Sequence, residues 1–262
     1  MRRYLRLWGH WARLSLGRES LFRGNAWLRL LAHALWLGTA WVFFEALYLH
    51  VPTIAGWRRE QVWLLIAVNE LAQGVYNLFV GRGLLWIPDL IWQGELDSIL
   101  TKPVAPLFTL SVGRMRLYDA PALALPLALG AYALRAIGEA PAFSQWLWFG
   151  LLLLLGVVAR YAITLAVVSL AFWVTRVYAM PSLLAELFRL AGYPEGIFRG
   201  VSRALFTWAV PVLVVANFPA QALLGAPPLP RLTAALLAVG LWLSAALALW
   251  RAGLRRYTAV GG

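Results

Sequence analysis

Long apolar segments separated by short charged ones set the pattern of this chain. A run of about 20 mostly apolar residues is long enough to cross the hydrocarbon core of a bilayer as an α-helix. Such runs predict six spans, at residues 26–49, 60–80, 118–134, 140–175, 176–190 and 232–250. We therefore predict an all-α polytopic membrane protein that forms a single transmembrane domain over residues 1–262.

The fourth apolar segment, residues 140–175, is longer than a membrane is thick. As a continuous helix it would measure roughly 54 Å, against about 30 Å of hydrocarbon. It is therefore either one long helix that projects beyond the bilayer or a span followed by a turn. Its only charge is Arg160, which we expect to face the protein interior, with Glu70 as a candidate partner.

Basic residues are concentrated at the two ends of the chain. Residues 1–24 mix arginines with leucine, tryptophan and tyrosine at helical spacing, which predicts an amphipathic helix lying in the cytoplasmic interface. Arg251, Arg255 and Arg256 follow the last span, so the positive-inside rule places both termini in the cytoplasm. The net charge of +12 then reflects topology and attraction to anionic lipid headgroups, and not nucleic-acid binding.

The second span carries a polar stripe at membrane depth. Its members are Asn69, Glu70, Gln73, Tyr76 and Asn77, and three of them recur every four residues. Polar groups inside a bilayer are costly unless they face a partner or a wet cavity. The stripe therefore either lines a translocation path or binding cavity, or holds neighbouring helices together through hydrogen bonds.

Prolines interrupt the uncharged stretch at residues 204–230. They are Pro211, Pro219, Pro227, Pro228 and Pro230. Because proline frees backbone groups that need partners in a bilayer, this pattern favours a re-entrant pair of short helices buried in protein. Hydropathy alone also allows residues 204–224 to form a span. Arg58 and Arg59 in the loop after the first span lie outside against the charge rule, and Arg199 and Arg203 would do the same if the re-entrant pair opened to the outside.

Composition removes several classes of function. The chain is 62% hydrophobic and 13% charged, far from the values of a soluble domain, and it has no cysteine for disulfides or thiolate metal sites. Its three histidines have no metal-ligand spacing, and it contains no Walker A motif, so it does not bind and split ATP in that way. We predict no cofactor in this chain and no catalytic residue.

A mixed-charge island bounded by Gly94 and Pro103 lies within residues 81–119, a segment that Arg82, Lys102, Arg114 and Arg116 place in the cytoplasm. The island has an apolar set, Leu96, Ile99 and Leu100, and a polar set, Glu95, Asp97, Ser98 and Lys102. A glycine start and a proline stop around such a pattern predict a short amphipathic helix. That helix either contacts a soluble partner or is a solvated loop between spans.

Four sequence pieces occur in an order that resembles a known family. They are Gly56-Trp57-Arg58-Arg59-Glu60, the run Gln93-Gly94-Glu95-Leu96-Asp97 continued by Leu100, Lys102, Pro103 and Pro106, then Phe172-Trp173, and finally Tyr193-Pro194 followed by Pro211 and Phe218-Pro219-Ala220. Together they resemble the permease subunits of ABC-2-type transporters, the ABC-2 family transporter proteins. The ordered set covers nearly the whole chain, which makes it more specific than any one piece.

The resemblance implies an assembly. It implies a homo- or heterodimeric permease in the cell (cytoplasmic or inner) membrane, bound to two ABC ATPase subunits that carry ATP and Mg²⁺. Residues 1–24 would be the interfacial helix, residues 193–230 the re-entrant extracellular segment, and the island between spans two and three the cytoplasmic coupling helix. Its expected ATPase contacts are Glu95, Leu96, Asp97, Ile99, Leu100 and Lys102.

These expectations give a function with two rivals. The chain would be a non-catalytic subunit of an ATP-driven exporter that works by alternating access. An ATP-independent channel or scaffold is the first alternative, and the coupling-type island argues against it. An integral-membrane lipid-modifying enzyme is the second, but the sequence lacks the HExxH, paired-Asp and GxSxG patterns that such chemistry needs.

Overall fold

A computed structural model describes residues 2–17, 23–174, 180–225 and 229–257. Within these ranges the chain is helical and contains no β-strand, apart from an isolated bridge between Ile54 and Trp57. The predicted all-α class is confirmed.

The helices follow one another with short connections. They are α1 (Arg2–Gly17), α2 (Arg23–Tyr48), α3 (Arg59–Tyr76), α4 (Arg82–Leu85), α5 (Ile87–Trp92), α6 (Asp97–Leu100), α7 (Pro106–Val112), α8 (Ala124–Ile137), α9 (Phe143–Ser169), α10 (Met180–Arg189), α11 (Val201–Ala204), α12 (Leu213–Leu224) and α13 (Leu229–Arg256). Segments of 3₁₀-helix lie at Leu117–Leu123, Leu170–Phe172, Leu190–Gly192 and Glu195–Ile197. Two π-helical segments, Asn77–Gly81 and Leu205–Ala209, interrupt the α-helical pattern.

Five helical stretches of the described chain are long and apolar enough to cross a membrane. They are Leu30–Tyr48, Arg59–Trp92, Leu117–Ile137, Phe143–Phe172 and Arg231–Arg256. Multiple spans were predicted, and the protein is confirmed as a multi-pass membrane protein. The fourth apolar segment forms one long helix, and the second span continues through its π-helical segment further than the sequence pattern indicated.

The segment predicted as a fifth span, residues 176–190, forms only a short helix. α10 has ten residues and is about 15 Å long, half of the hydrocarbon thickness of about 30 Å. Residues 175–179 lie outside the described ranges. α10 therefore does not cross a bilayer by itself, and the chain continues through the 3₁₀ turns at Leu190–Gly192 and Glu195–Ile197.

The ends of the bundle can be named from the chain path. We call the end that carries α1, the island and the last turns of α13 the inner end, and the opposite end the outer end. α3 and α9 both run from the outer end to the inner end, and α13 is parallel to α9, since Gly253 lies against Phe172. α12 packs between α3 and α9 in the outer half of the bundle.

α9 and α12 pack with their backbones unusually close. A Cβ added at Gly156 would lie 2.6 Å from the Val215 carbonyl oxygen and 3.0 Å from its Cα. Small residues at such contacts allow membrane helices to approach and gain van der Waals energy. Position 156 therefore requires glycine. A side chain there would clash with backbone atoms of Val215, which cannot move aside by changing rotamer.

We expect Gly156→Ala to destabilise the protein by about 1–3 kcal/mol, because α9 and α12 must separate to admit the methyl group. The measurement is thermal unfolding of the purified protein in detergent. Gly150→Ala is the matched control on the same helix, since a Cβ there meets nothing within 4 Å. Equal melting temperatures for the two variants would show that the backbones are not in close contact.

The segments on either side of Pro211 form a hairpin. Its arms, Val201–Ala209 and Leu213–Leu224, meet at an angle of 96°. The bend lies beside the middle of α13, where Trp242 Nε1 donates a hydrogen bond to the Ala209 carbonyl at 2.9 Å. Proline at the bend has no N–H to continue the first helix, which explains the break.

The outer end of the hairpin is held by a buried carboxylate. Glu195 Oε1 lies 3.3 Å from Arg203 Nη2 and 3.0 Å from Arg231 Nη2. Arg203 follows the start of the first arm, and Arg231 is in the first turn of α13, so the first arm begins and the second arm ends at the outer end. In the first loop, Arg59 similarly pairs with Glu45 at 3.2 Å. These pairs give a physical reason why arginines occur at this end.

The predicted N-terminal amphipathic helix occurs as α1, although residues 18–22 lie outside the described ranges. Its inward face docks on α7, with Tyr4 and Trp11 packed against Phe108. The Ser15 hydroxyl donates to the Met115 carbonyl and accepts from the Leu117 N–H, both at 2.9 Å. The arginines of α1 that the structure describes are exposed, as a helix at a charged interface requires.

Candidate functional site

The polar stripe of α3 divides between two surroundings. Asn69 and Glu70 are mostly buried but line a cavity, as does Gln73, while Asn77 lines a second cavity at the inner end. Tyr76 points elsewhere, into the contact between α3 and α9, where it lies 5.7 Å from the Arg160 guanidinium. Four members of the stripe therefore face open volume, and the translocation role predicted for all five stays a prediction.

The outer cavity has a volume of about 620 Å³ and lies between α2, α3 and the segment after α10. Its apolar wall includes Trp36, Phe43 and Phe44 of α2, while Asn69 and Glu70 supply polar groups from α3. Volumes between about 300 and 1,000 Å³ with few polar groups are typical of small-molecule sites.

The inner cavity has a volume of about 730 Å³. Gln73 of α3 and Asn77, the first residue after α3, lie on one side, and Leu30 of α2 with Leu123 and Pro126 on the other. At its inner end the Arg116 guanidinium lies 3.1 Å from the Asp119 carboxylate. Two irregular segments, the π-helix at Asn77–Gly81 and the 3₁₀-helix at Leu117–Leu123, border it; irregular backbone at membrane depth is tolerated where it lines a cavity.

Arg160 is buried and fixed in the wall behind the cavities. Its Nη2 donates to Gln73 Oε1 at 2.8 Å, and its guanidinium lies 4.1 Å from the centre of the Phe188 ring. The expected ion pair with Glu70 is replaced by this bond, because Glu70 faces α2, where its Oε2 lies 3.8 Å from His33 Nε2. Arg160 therefore positions Gln73 at the cavity wall and joins α9 to α3.

At the inner end, the island and the residues next to it form a compact group of short helices. Gly94 has φ +72°, a left-handed conformation that ends α5 and turns the chain into α6. Leu96 is fully buried and Ile99 nearly so, in a core that includes residues of α9 and α13. Trp92, Gln93, Glu95, Ser98, Thr101 and Lys102 form its exposed surface.

Comparison with known protein families identifies the family of this chain. The family described as ABC-2 family transporter protein matches residues 34–261. The chain belongs to the ABC-2 transporter family. The resemblance seen in the sequence is confirmed. No curated protein and no solved structure matches the chain.

In this ABC-2 permease the six residues expected to contact an ATPase do not share one surface. Glu95 and Lys102 are exposed, and Asp97 and Leu100 are half-buried. Leu96 and Ile99 pack inside the permease, which removes them from the outward surface and makes them internal anchors of the island. The physical reason is that the apolar face of a short amphipathic helix packs on the bundle to which it is attached.

The exposed surface includes residues that the sequence pattern did not select. Trp92 is 53% exposed and lies at the end of α5, next to Gln93. The available signal was a tryptophan two residues before Gly94, the glycine at which the polar island begins. The sequence analysis also did not select His33 and Trp36 of the cavity walls. A single histidine or tryptophan in an apolar span forms no pattern of its own.

We expect Leu96→Ala to destabilise the permease by about 2–5 kcal/mol, because the removed side chain is fully buried. Glu95→Ala, one residue away and exposed, should stay within about 0.5 kcal/mol of the parent. Thermal unfolding in detergent measures both. A Leu96→Ala variant as stable as Glu95→Ala would contradict the placement of Leu96 in the core.

Proposed function

We propose that this chain is the transmembrane subunit of an ATP-driven exporter in the cytoplasmic membrane. The observation that carries the proposal is the combination of membership in the ABC-2 family with an exposed, charged island at one end of the bundle. ATP and Mg²⁺ would be bound by a separate ABC ATPase, and the permease would contribute the path and the coupling surface.

Charge supports a cytoplasmic inner end. The described basic residues near this end are Arg2, Arg3, Arg6, Arg13, Arg82, Lys102, Arg114, Arg116, Arg251, Arg255 and Arg256. Those near the outer end are Arg58, Arg59, Arg135, Arg199, Arg203 and Arg231. The excess at the inner end follows the positive-inside rule. Six spans then result if α10 and the turns after it form a broken fifth span, and the hairpin around Pro211 is a re-entrant element open to the outside.

A second permease chain would cover the face formed by α2 and α10. Arg189 and Glu186 form an ion pair of 2.8 Å beside Trp36, in the middle of α2, and their side chains are 50% and 63% exposed. Charges at such depth rarely face lipid, and they occur instead against protein or water-filled cavities. A homo- or heterodimer would place this pair at the interface between two permeases.

The island is packed firmly against the transmembrane helices, so a movement of the island would be passed to them. Leu96 and Ile99 share one buried core with Leu165 of α9 and Trp250 of α13. Burial together with Asp97, which lies close by, raises the pKa of Tyr257, at the end of α13. Closure of an ATPase dimer against the exposed face of the island would therefore move α9 and α13 together, a rigid-body route to alternating access.

The proposal is tested by purifying the tagged chain from native membranes in mild detergent and identifying its partners by mass spectrometry. We expect a stoichiometric ABC ATPase, and we expect Lys102→Glu combined with Glu95→Lys to reduce its recovery several-fold. Glu139→Lys, which is exposed at the opposite end, is the matched control. Recovery of no ATPase in several detergents would contradict the proposal and favour an ATP-independent channel or scaffold.

A further inference from the structure

The two cavities between α2 and α3 share three lining residues. His33, Glu70 and Gln73 border both the outer cavity of about 620 Å³ and the inner cavity of about 730 Å³. The cavities therefore meet at one level of the bundle. A molecule that moves from one cavity to the other must pass these side chains.

The side chains at this level are held unequally. Gln73 is firmly bonded to α9, whereas the contact between His33 of α2 and Glu70 of α3 is long. Gln73 is fixed from behind by the hydrogen bond from Arg160 of α9 at 2.8 Å. Across the gap, His33 Nε2 lies 3.8 Å from Glu70 Oε2, which is longer than a hydrogen bond. The His33 contact can therefore open without disturbing the packing of α3 on α9.

α2 is the wall that is able to move. Within the single chain most of the described side chains of α2 are exposed, whereas most of those of α3 are buried. At the outer end of α2, Trp41 stacks on Trp63 at 4.1 Å and the Tyr48 hydroxyl donates to the Trp57 carbonyl at 3.0 Å. At the level of the gate, Trp36 of α2 donates a side-chain hydrogen bond to Glu70, so α2 reaches this carboxylate through both His33 and Trp36. A small rotation about this outer end would part His33 from Glu70.

The two walls differ in their main chemistry. The amide side chains Asn69, Gln73 and Asn77 come from α3 and the first residue after it, while α2 contributes mainly apolar side chains, among them Leu30, Trp36 and Phe43. A ligand with one polar side and one apolar side satisfies both walls, since a buried amide without a partner is costly and apolar surface gains by burial.

We propose that His33 and Glu70 form the internal gate between two successive binding cavities for an amphiphile, whose polar part lies along α3 and whose apolar part lies against α2. The inner cavity is the site that is loaded first, and the outer cavity receives the molecule when α2 moves. As a transport path this gate rests on the proposed export function. The gate and the two sites themselves are measurable without ATP or an ATPase.

The natural absence of cysteine makes the gate directly measurable. Ala40→Cys places one thiol in the outer cavity, and a membrane-impermeant methanethiosulfonate cation is applied to vesicles from each side. We expect reaction from the outer side only. Adding Glu70→Ala should permit reaction from the inner side as well, whereas adding Glu139→Ala, an exposed carboxylate away from the cavities, should not. Equal reaction from both sides in the parent, or no change with Glu70→Ala, would overturn the gate.

The ligand class is tested at the inner cavity. Leu30→Cys lines this cavity, and Leu31→Cys, the neighbour on the exposed face of α2, is its control. We expect lysophosphatidylcholine to slow labelling of Leu30→Cys several-fold and to leave Leu31→Cys unchanged, while glycerophosphocholine, the polar part alone, protects neither. Equal protection of both thiols, or protection of neither by the amphiphile, would overturn the amphiphile site. A functioning gate in a chain that recovers no ATPase would refute the export proposal alone.

Discussion

Asn217→Leu should cause one of the largest losses of stability in this permease. Asn217 is fully buried in α12, and its side chain ties down the segment that follows α10. Its Oδ1 accepts from the Glu195 N–H at 2.8 Å, and its Nδ2 donates to the Ala191 and Tyr193 carbonyls, both at 3.1 Å. Leucine fills the volume but leaves three backbone groups without a partner, at about 1–3 kcal/mol for each group that stays buried.

The measurement is the melting temperature of the detergent-purified protein, with Gln221→Leu as the control. Gln221 lies one turn further along α12, and its buried Oε1 has no hydrogen-bond partner. The control should therefore melt near the parent temperature. If Asn217→Leu melts no lower than Gln221→Leu, the hairpin is not held by this side chain.

Trp63→Ala should be comparably severe, at about 3–5 kcal/mol. Trp63 is 2% exposed; its ring stacks on Trp41 of α2 at 4.1 Å and meets Phe44 edge-on at 6.1 Å. These rings are the main attachment of α2 to α3, so their loss should both lower the melting temperature and free α2. Limited proteolysis together with thermal unfolding reports the two effects.

Trp146→Ala provides the comparison for Trp63→Ala. This tryptophan on α9 is 45% exposed and contacts Phe149 edge-on at 5.8 Å, so its removal costs little packing inside the bundle. Similar melting temperatures and similar proteolysis for the two variants would show that α2 is held in some other way.

The sequence was informative where one physical rule dominates. Hydropathy located the long spans because a bilayer demands about 20 apolar residues, and the structure moved their limits by only a few residues, except where α3 continues through a π-helix. Pro211 marked the bend of the hairpin because proline cannot continue a helix. The four-residue recurrence on α3 likewise identified Asn69, Gln73 and Asn77 as one face.

What the sequence did not show depends on contacts between distant segments. Leu96 and Ile99 were expected on an outward surface, since their spacing shows an apolar face but not which body covers it. Glu70 was the candidate partner for Arg160, an intramembrane carboxylate on another span, whereas packing directs Arg160 to Gln73. His33 entered the site only when α2 and α3 were seen side by side.

The central claim, that the island of this permease docks on an ABC ATPase, is tested most directly by cross-linking in native membranes. Glu95→Cys introduces one thiol into a chain that otherwise has none, and a bifunctional maleimide then joins it to whatever lies against the island. We expect a single main product that contains the ABC ATPase, and no such product from Glu139→Cys at the outer end. An ATPase product from neither thiol, or from both equally, would contradict it.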